Sequence, residues 1–401
     1  MKKNVLIFGA GPLQTSIISV AKSKGIYTIA IDPNKNAIGK NIADVFIAVN
    51  GDDFKTTCEV TEKYSIDGIV TAATDKPLLM MAKIAEKYNF TFPSYSAILK
   101  CTNKYLMKKT FLKNNIPCAK GLLVNNKNQI KKTLNNFKFP IIIKPLDSSG
   151  SRGVIFCNSI DNLIKAYEET KKVTSLDDVL IEEFIDGKEY SIEGIHYNGE
   201  SHIIQITEKI TTKFPYNVEL GHIQPADITS EQQLKIQQLI TKIAHILGFE
   251  NCASHTELKI NKNGIFIIET SPRLGGDFIS STLVPLSTGI NMEEILIDIS
   301  TGTLLPKNFY KPKFNKNSGI IFFELPEGIV IYVHNLNEID NIEEIYSWNF
   351  DLNMGDKVNK ITSSLDRYGY AIFHCSQKKI IDSTINKVND IVHKNIKIKL
   401  L

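Results

Sequence analysis

The stretch Ser254–Gly276, SHTELKINKNGIFIIETSPRLGG, decides how the rest of the chain is read. Two apolar-rich runs flank the turn former NKNG, the pattern of an antiparallel hairpin. One run carries Glu257 and the other Glu269, and in a hairpin of that length both carboxylates reach one face. Like charges side by side are destabilising unless a cation sits between them. Hard oxygen ligands with no soft ligand nearby suit magnesium. Arg273 follows, fixed by Pro272 and Gly275–Gly276, where a guanidinium could neutralise charge on a transferring phosphoryl group. His255 lies two residues before Glu257, shares its face and reads as structural.

Working outward, FPIIIKPLDSSGSRGV (139–154) is an apolar strand delivering Lys144 to a loop of small residues, Ser148, Ser149, Gly150, Ser151 and Gly153. Small residues let backbone N–H groups converge on phosphate oxygens, and a lysine adds a point charge. The alternative is a plain flexible hairpin loop. VLIEEFIDGKEYSIEG (179–194) ends an apolar strand on Glu182, Glu183, Phe184 and Ile185, turns at Gly187 and places Glu189 just beyond. Alone it reads as a hairpin with solvated carboxylates. Lys104, in CTNKYLMKK, is by itself one surface lysine among many.

The N-terminal third alternates short β-type runs (NVLIF, YTIAI, VFIAV, IDGIV) with stretches of helical period, which implies a parallel sheet with crossover helices. Residues 94–117 read as one helical segment stopped at Pro117. Strands dominate from 139 to 276, interrupted by the amphipathic helix SEQQLKIQQLITKIAHILGF. Residues 301–319, polar and poorly periodic, read as a linker into a small α+β region.

The opening VLIFGAGPLQTSI suggests a dinucleotide fingerprint, with Asp32 about twenty residues on. The match is partial, because Gln14 stands where the third glycine belongs. Asp32 and Asn34 in IDPNKNA read equally well as turn residues bonding nearby backbone.

Of 401 residues, 43% are hydrophobic and 22% charged, the composition of a globular chain of two to four domains. A net charge of +4, with no basic run interleaved with aromatics, argues against nucleic acid. The basic runs 131–138 and 393–401 read as solvated faces or ends. Six scattered cysteines form no C-x-x-C pair, so neither a zinc site nor a disulfide framework is indicated. No apolar run is long enough to span a bilayer, and a cytoplasmic protein is expected.

In their order and spacing these stretches resemble the ATP-grasp superfamily, carboxylate–amine ligase type, which includes D-alanine–D-alanine ligase, biotin carboxylase and the L-amino-acid ligases. The resemblance covers nearly the whole chain. It implies a Rossmann-like pre-ATP-grasp domain (1–95), whose glycine turn helps to wall the substrate cleft. An ATP-grasp fold of two α+β subdomains (96–302) and a small α+β C-terminal domain (303–401) would follow. Lys104 and Lys144 would contact ATP phosphates, under a loop containing Ser149, Gly150, Ser151 and Gly153. Glu182, Glu183, Phe184 and Ile185 would meet adenine, and Glu189 the ribose. Glu257 and Glu269 would hold magnesium, with manganese as the alternative, and Arg273 would face an acyl phosphate. Many members carry Asn two residues after the second glutamate; this chain has Ser271 there, a weaker ligand.

The implied activity is ADP-forming ligation of a small-molecule carboxylate to an amine. Glu219 and His222, in TKFPYNVELGHIQPA, are candidates for the substrate pocket. A homodimer is compatible with the resemblance. Two other classes stay open: a non-catalytic ATP-binding module, and an NAD-dependent oxidoreductase resting on Gly9, Gly11 and Asp32.

Overall fold

The computed structural model of the protein describes residues 2–133 and 137–400, so the polar run 131–138 and the C-terminal run 393–401 lie partly outside the described residues. Strands β1 (Asn4–Phe8), β2 (Tyr27–Asp32), β3 (Val45–Ala48) and β4 (Gly68–Val70) form a parallel sheet in the order β3-β2-β1-β4. Helices α1 (Thr15–Ser23), α2 (Phe54–Lys63) and α3 (Leu78–Tyr88) alternate with these strands. The turn after β1 needs Gly9, whose φ is +95°. Gln14 is buried there, donating to the Ala72 carbonyl at 2.6 Å and accepting from the Gly11 N–H at 3.1 Å. Asp32 accepts from the N–H groups of Ala10 and Asn34, both at 2.8 Å, and Asn34 accepts in turn from Asn36. The Asp32 carboxylate thus closes a local turn.

Residues 94–117 differ from the single helical segment expected. They form α4 (Tyr95–Thr102) and α5 (Lys104–Lys113), broken at Asn103. Asn103 is extended (φ −116°, ψ 106°), and its side chain accepts from the N–H groups of Tyr105 and Leu106. A side-chain amide at the N-cap satisfies donors that a continuing helix would not leave free. Lys104 therefore opens α5.

Strands β5 (Gly121–Val124), β6 (Ile141–Pro145), β7 (Ile155–Cys157) and β8 (Val179–Glu183) make an antiparallel sheet, β5-β8-β6-β7, with α6 (Lys127–Thr133) and α7 (Ile160–Lys171) in the same segment. Next come β9 (Lys188–Tyr197), β10 (Glu200–Thr211), β11 (Glu219–Gln224), α8 (Ser230–Leu247), β12 (Cys252–Asn261) and β13 (Gly264–Ser271). Helices α9 (Val284–Thr288) and α10 (Met292–Ser300) follow. The C-terminal stretch contains β14 (Asn317–Phe322), β15 (Gly328–Val333), β16 (Ile345–Phe350), β17 (Lys357–Val358), β18 (Gly369–Cys375), α11 (Ile381–Asn395) and β19 (Ile396–Leu400). One eight-stranded antiparallel sheet runs β13-β12-β9-β10-β11-β14-β18-β16, so strands from the C-terminal stretch extend the sheet that carries the acidic residues. Strands β17-β15-β19 form a separate small sheet. Residues 302–316 connect the two parts, and their Leu305, Phe309 and Tyr310 pack on the core.

Helix α10 shares an apolar core with α1 and buries one acid against it. Glu293 accepts from the Ser16 hydroxyl at 2.6 Å, and burial pushes its carboxyl up to about 7. The folded state therefore holds a proton that the unfolded chain releases near 4.5, and stability falls as pH rises from there to about 7. A shift of that size corresponds to about 3 kcal/mol. Glu293→Gln keeps an acceptor for Ser16 and removes the charge. It should raise the Tm at pH 8 and by much less at pH 5; equal Tm values at pH 8 would contradict this account.

Candidate functional site

Five neighbouring strands of the large sheet, β13-β12-β9-β10-β11, carry Glu269, Glu257, Glu189, Lys209 and Glu219 in that order. Glu257 and Glu269 are direct cross-strand partners, as the hairpin pattern suggested, and a bulge follows Glu257. Each is paired with a lysine from elsewhere: Lys104 reaches Glu269 at 3.0 Å, and Lys209 reaches Glu257 at 2.9 Å. Lys209 also meets Glu189 at 2.9 Å and Glu219 at 3.3 Å. Among the described residues no three His, Cys, Asp or Glu side chains converge as a ready-made metal cage. The Glu257–Glu269 pair still fits a magnesium ion whose other ligands are phosphate oxygens and water: both donors are hard oxygens, and each already attracts a cation.

The second sheet brings up the lysine cluster. Lys144 on β6 and Lys108 on α5 bind opposite oxygens of Glu182, at 2.7 and 2.6 Å, and all three groups are buried. Burial and the neighbouring ammonium of Lys108 pull Lys144 below the usual lysine range, although Glu182 opposes this. Burial would raise Glu182, but the two ammonium groups outweigh it and hold the carboxyl down. Glu182 thus turns its side chain to the lysines, and Glu183 accepts from the Lys120 N–H at 3.0 Å.

The loop after β6 bends through three residues of positive φ, Gly150, Ser151 and Gly153. Lys104 donates to the Ser148 carbonyl at 2.9 Å. The Ser148 hydroxyl is buried and has no hydrogen-bond partner among the described residues. A stranded hydroxyl beside two lysines suits an anionic ligand.

Two lobes of one cleft meet here. Lys104, Ser148, Ser149 and Glu269 line both. The first lobe contains Lys144, Glu182, Phe184, Ile185, Glu189, Glu219 and Glu257. Its wall is a cluster of Phe156, Phe184 and Phe214, with ring centroids 4.4–5.2 Å apart. The second lobe contains Asp75, Lys76, His255, Ser271 and Arg273.

Arg273 is held by Asp75, from the loop after β4, through Nε–Oδ1 at 2.9 Å and Nη2–Oδ2 at 3.1 Å. Ser271 donates to the same carboxylate at 2.6 Å. His255 is gripped by buried Glu193 at 2.5 Å, and its other nitrogen lies 3.5 Å from Glu257. Burial disfavours the charged ring, but Glu193 outweighs it and holds the imidazole at about 9. Gly275 is required beside this pair, because a Cβ there would lie 2.7 Å from Glu193 and 2.9 Å from His255.

Most of the residues singled out in the sequence line this cleft. Glu219 lies in the first lobe, bonded to Ser151, Ser364 and Lys209. His222 lies outside both lobes and faces Asp277 at 3.2 Å. Asp277 is in turn clamped by Arg367 at 2.7 and 2.8 Å. The glycine turn after β1 lines neither lobe; Gly9 borders a further pocket over the ends of β1 and β2, which shares Lys76 with the second lobe. Sequence reasoning missed Lys108, Lys209, Asp75, Glu193 and Arg367. A lysine in a strand or a helix reads as solvated, and nothing local marks a charge that is buried by distant partners.

Residues 137–281 match the family of the ATP-grasp domain. The chain carries an ATP-grasp domain. Over 313 residues it is 26% identical to the alanine–anticapsin ligase of Bacillus amyloliquefaciens, an alignment spanning 69% of this chain and 65% of that relative. Over 308 residues it is 25% identical to the D-alanine–D-alanine ligase of Pelagibacter ubique (strain HTCC1062), spanning 71% and 92%. The fold is that of an L-amino acid ligase from Bacillus licheniformis, with a TM-score of 0.84 at 20% identity and coverage of 100% and 99%. The expected fold is thus found, with a Rossmann-like sheet preceding the ATP-grasp domain.

The Asp75–Arg273 pair makes a measurable demand on stability. Burial raises Asp75, but Arg273 outweighs it and holds the carboxyl at about 2. Its contribution is therefore present above pH 3.8 and is lost as pH falls through about 2. Asp75→Asn should lower the unfolding free energy by about 2 kcal/mol, read as a lower urea midpoint at pH 7. A wild-type midpoint would mean that the pair contributes nothing.

Proposed function

We propose that the protein is an ATP-dependent, ADP-forming ligase joining a small-molecule carboxylate to an amine. The observation that carries this reading is the meeting of the two lobes at Lys104, Ser148, Ser149 and Glu269. A nucleotide in the first lobe would present its terminal phosphate at that junction, facing an acceptor beside Arg273 in the second. The phenylalanine wall suits a flat base, and the backbone of 182–185 borders it. In this reading Glu189 takes the ribose hydroxyls, and Lys104, Lys144 and the loop residues Ser149, Gly150 and Ser151, all of which line the lobe, take the phosphates, whereas Gly153 lies outside the lining.

In this reading Glu257 and Glu269 hold magnesium, with manganese as the substitute, and the bound metal would act as a Lewis acid on phosphate oxygens. The γ-phosphoryl group passes to the substrate carboxylate, the amine attacks the acyl phosphate, and ADP and phosphate leave. Lys104 and Lys144 orient the phosphates, and Arg273, fixed by Asp75, stabilises charge on the acyl phosphate. Ser271 is engaged with Asp75, which leaves metal binding chiefly to the two glutamates. The names of the curated relatives, two ligases that use alanine, support an amino acid as one substrate.

The divisions 1–95, 96–302 and 303–401, a cytoplasmic location and homodimerisation belong to the same proposal. No helix among the described residues is long and apolar enough to cross a membrane. The oxidoreductase alternative gains little support, since both Asp32 oxygens are engaged with backbone.

Incubation with magnesium ATP and crossed pools of carboxylic and amino acids tests the reaction. Acceptor-dependent ADP is expected; AMP would indicate adenylation, and binding without turnover a non-catalytic module. Glu269→Ala should abolish turnover with an unchanged circular dichroism spectrum, and near-normal activity would remove the metal assignment. Glu219→Gln separates two roles: recognition of the amine predicts a higher KM for the amine alone, whereas anchoring of the loop predicts a higher KM for ATP.

A further inference from the structure

The buried Lys209 is the cation around which the first lobe is built. Its ammonium has three N–H donors, and three carboxylates lie within 2.9–3.3 Å: Glu189 from β9, Glu219 from β11 and Glu257 from β12. Each carboxylate leads elsewhere. Glu189 also accepts from Asn217 at 3.3 Å and lies 3.7 Å from Lys259. Glu219 accepts from Ser151 of the small-residue loop at 3.3 Å and from Ser364 of the C-terminal stretch at 3.2 Å. Glu257 is the cross-strand partner of Glu269. Without a cation at that point three carboxylates would crowd one buried space. No single neighbour replaces it, because Lys259 approaches Glu189 alone.

We propose that Lys209 is a positioning residue that locks the ribose-facing Glu189, the metal-facing Glu257 and the loop anchor Glu219 into one geometry, so that ribose recognition and divalent-cation binding are coupled through a single ammonium. The inference rests on the nucleotide reading given above. A lysine that merely filled the sheet would affect stability and leave both recognition events unchanged. A shared counter-ion changes both together: when it is lost, Glu189 and Glu257 repel and each leaves its place.

The test uses binding, with the full chain. Calorimetry gives the affinities for ADP and 2′,3′-dideoxy-ADP in magnesium, and their ratio reports ribose recognition. Electron paramagnetic resonance gives the affinity for Mn2+ in the presence of ADP. Wild-type protein should prefer ADP by tenfold or more. Lys209→Met should reduce that preference to threefold or less and weaken Mn2+ binding by tenfold or more. Lys209→Arg keeps the charge but alters the three-way geometry, and should shift both quantities in the same direction by at least threefold. It supplies the test if the methionine variant does not fold.

Values within twofold of wild type for both quantities, in a folded variant, overturn the coupling, even if the Tm falls. A change in one quantity without the other overturns it equally. Failure of the wild type to bind ADP would instead remove the nucleotide reading on which the inference stands.

Discussion

Glu257 and Glu269 stand opposite each other across β12 and β13, and the surrounding structure is arranged to make that tolerable. Cross-strand neighbours are about 5 Å apart. Like charges at that separation repel by about 3 kcal/mol at an effective dielectric of 20. A sheet edge would relieve this with water, but Glu257 is largely buried and its own strand is interior to the sheet. Relief comes from two lysines on different elements. Lys104 arrives from the first residue of α5, a position created by the Asn103 cap, and Lys209 from β10. The break between α4 and α5 therefore has a role in the site, because a continuous helix would carry Lys104 elsewhere.

The lysine cluster solves a different problem. Lys108 and Lys144 share the one carboxylate of Glu182, which leaves an excess of one positive charge in a buried setting. Burying such a group is expensive unless hydrogen bonds and partners compensate. The opposite directions for two lysines of one cleft reflect this. Lys104 has Glu269 largely to itself and is held above its usual range, whereas Lys144 competes with Lys108 for Glu182 and is pulled below. Lys144 and the stranded Ser148 hydroxyl line the same lobe, so field and hydrogen-bond donor favour the same kind of ligand, an anion.

The cross-strand pair, the glycine-serine loop and the Rossmann-like sheet were legible in the sequence because each is a local pattern: a hairpin turn, small residues after an apolar run, strand–helix alternation. Lys209, Lys108 and Asp75 were not, for a physical reason. Each is buried or paired by groups remote in the chain, Lys209 by carboxylates from three other strands and Asp75 by an arginine 198 residues away. A side chain's charge is written locally, but its solvation is set by topology. The split at Asn103 is an intermediate case. Asn is a strong N-cap, yet the helical period on both sides masked it. The glycine turn after β1 is a cleft wall by resemblance alone, and no local pattern announces that Gln14 fills the turn and ties it to Ala72.

The N-terminal sheet is more than a neighbour of the ATP-grasp domain, because it supplies the group that orients Arg273. Ala72 bridges Leu274 in parallel, and the Ala73 N–H donates to the Leu274 carbonyl at 3.2 Å. That same carbonyl accepts from the Arg273 guanidinium at 3.0 Å, while Asp75 takes two other donors. A planar guanidinium fixed along two edges has little rotational freedom, and a fork so held presents its remaining donors in one direction. If the loop after β4 shifted, Asp75 and the backbone bridge would move together, and the arginine with them. The second lobe is therefore completed only when the two regions pack, and a shift between them would move Arg273 while leaving the five-strand row of charges in the first lobe intact.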